Sequence, residues 1–142
     1  MSFEAIWAIG EFSLNLERTK VEVAALNIAN ANAAAASPEQ AFKPLMVVPE
    51  QLSSVGLSSS GSAELYKNQQ LMLEEQQLAP RQAYEPNHPL AGPDGNVYYS
   101  GTSISTEMIN MMKAQRAYEA TVKVLNNTRS MSAKALDIGR SS

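Results

Sequence analysis

The 142-residue chain has no cysteine, one histidine and a single tryptophan. The missing thiols exclude disulfides and thiolate metal sites, and they fit an oxidising compartment as well as a reducing one. Only two aspartates occur, Asp94 and Asp137, far apart, and the only adjacent glutamates are Glu74 and Glu75, so no carboxylate pair is available for acid–base work. His88 sits between Asn87 and Pro89 in a run of turns and reads as a loop histidine. "GLSSSG" does not satisfy the nucleophile-elbow spacing, and no phosphate-binding glycine loop occurs. The residues therefore point away from an enzyme, and nothing in them calls for a cofactor.

Excess charge is also missing. The formal net charge of −3 is spread along the chain, which leaves no footprint for nucleic acid or an anionic membrane. No run approaches the roughly 18 apolar residues of a membrane span. "MSFEAIWAIGEF" has no basic n-region and carries Glu4 and Glu11, so it does not read as a cleaved signal peptide.

Proline is confined to the middle, and this organises the chain. Residues 1–33 read as one helix and residues 103–142 as a second, with Thr102 or Ser103 as N-cap and Gly139 as C-cap. Residues 34–102 hold all seven prolines and the serine-rich run "LSSVGLSSSGS", which predicts loops and short strands. "KPLMVV" reads as a strand, "AELYKNQQLMLEEQQL" is ambiguous, and Pro93-Asp94-Gly95-Asn96 signals a turn before the β-prone Val97, Tyr98 and Tyr99. The expected class is mainly α: long terminal helices paired as a coiled coil, with a small irregular or β middle module.

Each helix carries two apolar stripes. On the second, Ile104, Met108, Met111, Gln115, Tyr118, Val122, Leu125, Arg129, Ser132 and Leu136 alternate spacings of four and three, as a coiled-coil seam does. Ile109, Met112, Ala120, Val124, Met131 and Ile138 lie on another face. On the first helix, Ile9, Phe12, Leu16, Val23 and Leu26 share one face, with Phe3, Trp7, Leu14, Val21 and Ile28 roughly opposite. Paired helices can cover one stripe each, and the other needs a partner. A helix from Ile104 to Ile138 would be about 52 Å long. A compact chain of this size is under about 40 Å across. Such a chain reads as a subunit that packs with copies of itself.

The stretch "AALNIANANAAAAS" fits the same picture. Alanine permits close helix approach, and Asn27 and Asn30 fall near the Leu16–Val23 face, where a buried amide selects the register that satisfies it. Arg116 offers a fixed fork of donors suited to an adjacent chain.

"LNIANAN" (Leu26–Asn32), "YEPNHPLAGPDGNV" (Tyr84–Val97) and the helix "EMINMMKAQRAYEATVKVLNNTRSMSAKALDIGR" (Glu107–Arg140) resemble the axial rod and hook proteins of the bacterial flagellum, the short proximal-rod members in particular. The matching positions are Leu26, Asn27, Ile28, Ala29 and Asn30, then Glu107, Met108, Met111, Arg116, Tyr118, Glu119, Ala120, Met131, Leu136 and Ile138. The resemblance implies paired terminal helices in the inner layer of a helical tube and an outer middle module. It also implies a rod that carries motor torque across the periplasm. The implied partners are other copies, other proximal and distal rod proteins, the rod-to-ring adaptor and the flagellar type III export apparatus, with no membrane insertion. With the stripes, it nominates Leu14, Val21, Leu26, Asn27, Ile28, Asn30, Glu107, Met108, Met111, Arg116, Tyr118, Val122, Val124, Leu125, Met131, Leu136 and Ile138 as interface residues. The rivals are another rod, hook or junction subunit and, from a different class, a small coiled-coil adaptor.

Overall fold

A computed structural model describes residues 3–49 and 70–140. Within it the proline-free ends form two helices, α1 (Phe3–Asn30) and α2 (Ile104–Arg140). At 1.5 Å per residue they are about 42 and 55 Å long. Between them lie β1 (Leu45–Pro49), β2 (Leu71–Glu75), β3 (Arg81–Tyr84) and β4 (Asn96–Tyr99). The fold is mainly α with a small β-rich middle. The ambiguous segment resolves as strand over Leu71–Glu75, while its first part and the serine-rich run lie outside the described residues.

The strands make two antiparallel pairs. Leu45 faces Glu75 in the β1–β2 pair, and Arg81 faces Tyr99 in the β3–β4 pair. The predicted turn precedes β4, with Gly95 at φ +70°, a left-handed conformation that glycine adopts without strain. The alanine run after α1 then crosses β4. Ala35 exchanges backbone hydrogen bonds with Tyr98 at 2.8 and 3.0 Å, and Ala31, Ala35 and Ala41 are buried.

α1 and α2 pack antiparallel. Glu17, Lys20, Val23 and Ala24 line a groove opposite Glu107, Asn110, Lys113, Ala114 and Ala117, and Gly10 lies against Leu125 farther along. A Cβ on Gly10 would stand 2.5 Å from Leu125 Cδ2, so a glycine here makes room for the Leu125 side chain. Two expectations change. α2 runs through Gly139, which therefore does not cap it. The inner face of α2 is also rotated from the predicted seam. Glu107, Ala114 and Leu125 are buried on it, with Met111, Ala117, Thr121, Thr128 and Ser132 half-buried, whereas Ile104, Met108, Tyr118 and Leu136 are exposed. Small and hydroxylated residues occupy the contact because the helices run close together, and the larger apolar residues point outward.

Candidate assembly interface

The helix pair and the β-rich middle are joined at one amide. Asn27, 1% exposed, accepts from Leu45 N–H through Oδ1 at 2.9 Å and donates from Nδ2 to Leu45 C=O at 2.9 Å. Gln76 Nε2 donates to the same carbonyl at 3.2 Å. β1 is thereby locked to α1, and each buried polar atom of the clamp is satisfied. This corrects the expectation for the two asparagines. The partner of Asn27 is the chain's own backbone, and Asn30 is half-buried and donates to Leu26 C=O at 2.9 Å within its own helix.

At the start of α2, Ser103 C=O accepts from Glu107 N–H at 3.0 Å, the first helical bond, so Ser103 is the N-cap. Thr102 Oγ1 donates to Glu107 Oε1 at 3.1 Å, which holds the buried carboxylate in the first turn, where the helix dipole favours it. In the β3–β4 pair the Tyr99 hydroxyl donates to Glu85 Oε2 at 3.0 Å, and the Arg81 guanidinium lies 5.0 Å from the Tyr99 ring centroid. The bond to the Glu85 carboxylate holds the Tyr99 phenol above its ordinary pKa.

The nominated residues fall into three groups. Asn27, Glu107 and Leu125 are buried inside the chain's own packing, which leaves them little surface for a neighbour. Leu14, Val21, Ile28, Asn30, Met111 and Val122 are half-buried beside the helix contact. Val21 lines a side groove with Gln115 and Tyr118. Leu26, Met108, Arg116, Tyr118, Val124, Met131, Leu136 and Ile138 are exposed, and the last three of the apolar ones reach 69%. This third group leaves large apolar side chains in water, with Val124, Met131 and Ile138 in one row along α2. Periodicity did not reveal Leu45 and Gln76, whose parts depend on a long-range contact. Gly10 and Ala114 were legible only as small residues at helical spacing.

Among the described residues no cluster of acidic or histidine side chains could hold a metal, and no helix is long and apolar enough to cross a membrane. The grooves beside the helix pair are open clefts of about 520 Å³ each. What the geometry offers is surface.

Comparison with known proteins agrees on what that surface belongs to. Residues 94–138 match the family model described as the C-terminal part of flagellar basal body rod FlgEFG proteins. The flagellar basal-body rod protein FlgC of Escherichia coli O6:H1 is 31% identical over 140 residues, covering 99% of this chain and 100% of that protein. FlgC of Salmonella typhimurium is 30% identical with the same coverage. FlgC of Buchnera aphidicola from Acyrthosiphon pisum is 40% identical over 55 residues, 39% of this chain and 40% of its own. With such likeness along nearly its whole length, the chain belongs to the FlgC family of flagellar basal-body rod proteins, structural subunits of the basal body.

Proposed function

We infer that this chain assembles with copies of itself and with other proximal and distal rod proteins into the helical drive shaft of the basal body. In this reading α1 and α2 form a coiled coil in the inner layer of a tube, and the middle module forms an outer layer. The working divisions are residues 1–33, 34–102 and 103–142. The rod-to-ring adaptor and the flagellar type III export apparatus are further partners, the latter delivering the unprocessed chain to the periplasm. There the rod transmits motor torque.

The observation that carries the reading is the exposed apolar row on α2. Val124, Met131 and Ile138, seven residues apart on one face, are 57–69% exposed on a helix about 55 Å long. Large contiguous apolar surface in a single chain marks a contact site. The exposed nominated residues, from Leu26 to Ile138, are the ones assigned to subunit contacts. The half-buried ones, Val21 and Met111 among them, border these contacts.

The test is an electron microscopy map of basal bodies purified from cells that express the tagged chain. The expected result is tag in the purified rods and helix-pair density lining the channel. Rods without the tag, or helix pairs on the outer surface, would refute the reading.

A further inference from the structure

The hydrogen-bond parity of the middle module decides which strand edges are occupied. Gln76 N–H donates to Pro44 C=O at 2.7 Å, and Leu45 turns both of its backbone groups to Asn27 instead of β2. Bonded and non-bonded positions alternate in an antiparallel pair. Met46↔Glu74 and Val48↔Met72 therefore carry the β1–β2 ladder, and Leu71, Leu73 and Glu75 direct their N–H and C=O groups away from β1. Among the described residues no backbone group bonds to that outer edge. The other edges are closed or cut short. On β1, Asn27 takes Leu45 and Pro49 has no N–H, which leaves Val47. β4 is covered by Ala35, and β3 presents Gln82 and Tyr84 between Pro80 and Pro86.

We propose that the outer edge of β2 pairs with the same edge of a second free copy, antiparallel about a twofold axis at Leu73. In that register Leu73 faces its own counterpart, Leu71 faces Glu75, and Met72 faces Glu74. Every residue with outward backbone groups then meets another, so each such pair exchanges two backbone bonds. The Leu73 side chain, 52% exposed in the single chain, gains a leucine directly across from it. Met46 and Met72, 43% and 47% exposed, lie together on the opposite face of the sheet and become part of a four-stranded surface. A two-stranded sheet is marginal by itself, and added strands stabilise it.

A second copy is the occupant because the edge complements itself in this one register. Glu74 and Glu75 fall opposite Met72 and Leu71, and Lys43 already holds Glu75 at 3.1 Å. Moving the axis to Glu74 or Glu75 sets carboxylate on carboxylate, and moving it to Met72 shortens the pairing. A parallel pairing in register sets both acids beside their counterparts. Like charges directly opposite destabilise a strand pair. The combined sheet runs β1–β2–β2–β1, so both of its ends are β1 edges. There Asn27 and Pro49 obstruct a further strand, and association stops at two copies. Such an isologous contact closes on itself. It belongs to the free chain, does not depend on the rod-subunit reading, and hides an edge that would otherwise template open-ended stacking.

The test uses the purified chain. Sedimentation over a concentration series up to roughly 100 μM should show a monomer–dimer equilibrium. Leu73→Pro removes the central N–H of the proposed pairing and leaves the β1–β2 ladder intact, since Leu73 does not bond to β1. It should weaken dimerisation by about tenfold or more, with an unchanged circular dichroism spectrum. A second measurement does not depend on that variant. The chain has no cysteine of its own, and the two Leu73 Cα atoms would stand about 5.5 Å apart, within disulfide range. Mild oxidation of Leu73→Cys should therefore give a linked dimer. Met46→Cys, at a comparably exposed position, lies at least three strand spacings, about 14 Å, from its counterpart and should link poorly. A wild-type chain that stays monomeric, a folded Leu73→Pro that dimerises like the wild type, or equal linkage at the two cysteines would overturn the proposal. If Leu73→Pro does not fold, the comparison of the two cysteines decides.

Discussion

Asn27 takes both backbone groups of one residue, Leu45, and a side chain with a single polar function could not do this. Asn27→Ala leaves Leu45 N–H without an acceptor beside a buried site. Leaving a buried group unpaired costs about 1–3 kcal/mol. The substitution should lower thermal stability by that amount, measured by circular dichroism on the purified chain. A loss below about 0.5 kcal/mol, the range of ordinary surface changes, would show that the clamp is dispensable. Asn30→Ala should fall in that lower range, because its amide only returns to its own helix at Leu26. The two asparagines look alike in sequence. Neighbouring residues placed Asn27 on the buried face, but its partner lies eighteen residues away in a segment without periodicity. The burial could be read from the pattern; the partner could not.

Neighbouring positions on α2 separate inner from outer contacts. Leu125 is 7% exposed against Gly10, and Val124, about 100° around the helix, is 57% exposed. Leu125→Ala should destabilise the free chain by about 2–5 kcal/mol, as large-to-small core changes do. Val124→Asp should leave the free chain within about 0.5 kcal/mol and yet prevent rod formation, because a carboxylate buried against a neighbour loses its hydration. Denaturation of the purified variants, combined with basal-body isolation, checks both. Complete rods from Val124→Asp would remove that face from the contact. Both helices, their approximate ends and the turn at Gly95 were legible in proline placement and turn chemistry. The helix rotation was not, because large apolar residues were taken to mark the inner face. Here Ala114, Ala117 and Thr121 hold the helices together, while Met108, Met112, Met131 and the isoleucines of α2 are exposed.

Taken whole, the molecule is uneven along its length. Counting down from Gly10 opposite Leu125, the first described residue of α1 is level with about residue 132 of α2. Residues 133–139 lie past it, and all are exposed. Amide exchange in the dilute free chain should therefore be fast over 133–139 and much slower over 107–128. In assembled rods the difference should disappear as neighbours cover the projecting turns. Protection of 133–139 in a proven monomer would show that these turns need no neighbour.

Seven of the ten buried hydrophobic residues among those described are alanines. Each burns off only a methyl group's worth of hydration, about 0.8 kcal/mol. A lone subunit so sparingly filled can be unravelled with little mechanical work, which suits the proposed passage through an export apparatus. Once neighbours close over its outer faces, their contacts add to the small free energy of its own core, as any partner that binds only the folded form does. The traffic then runs one way: pliant in transit, and difficult to extract once seated.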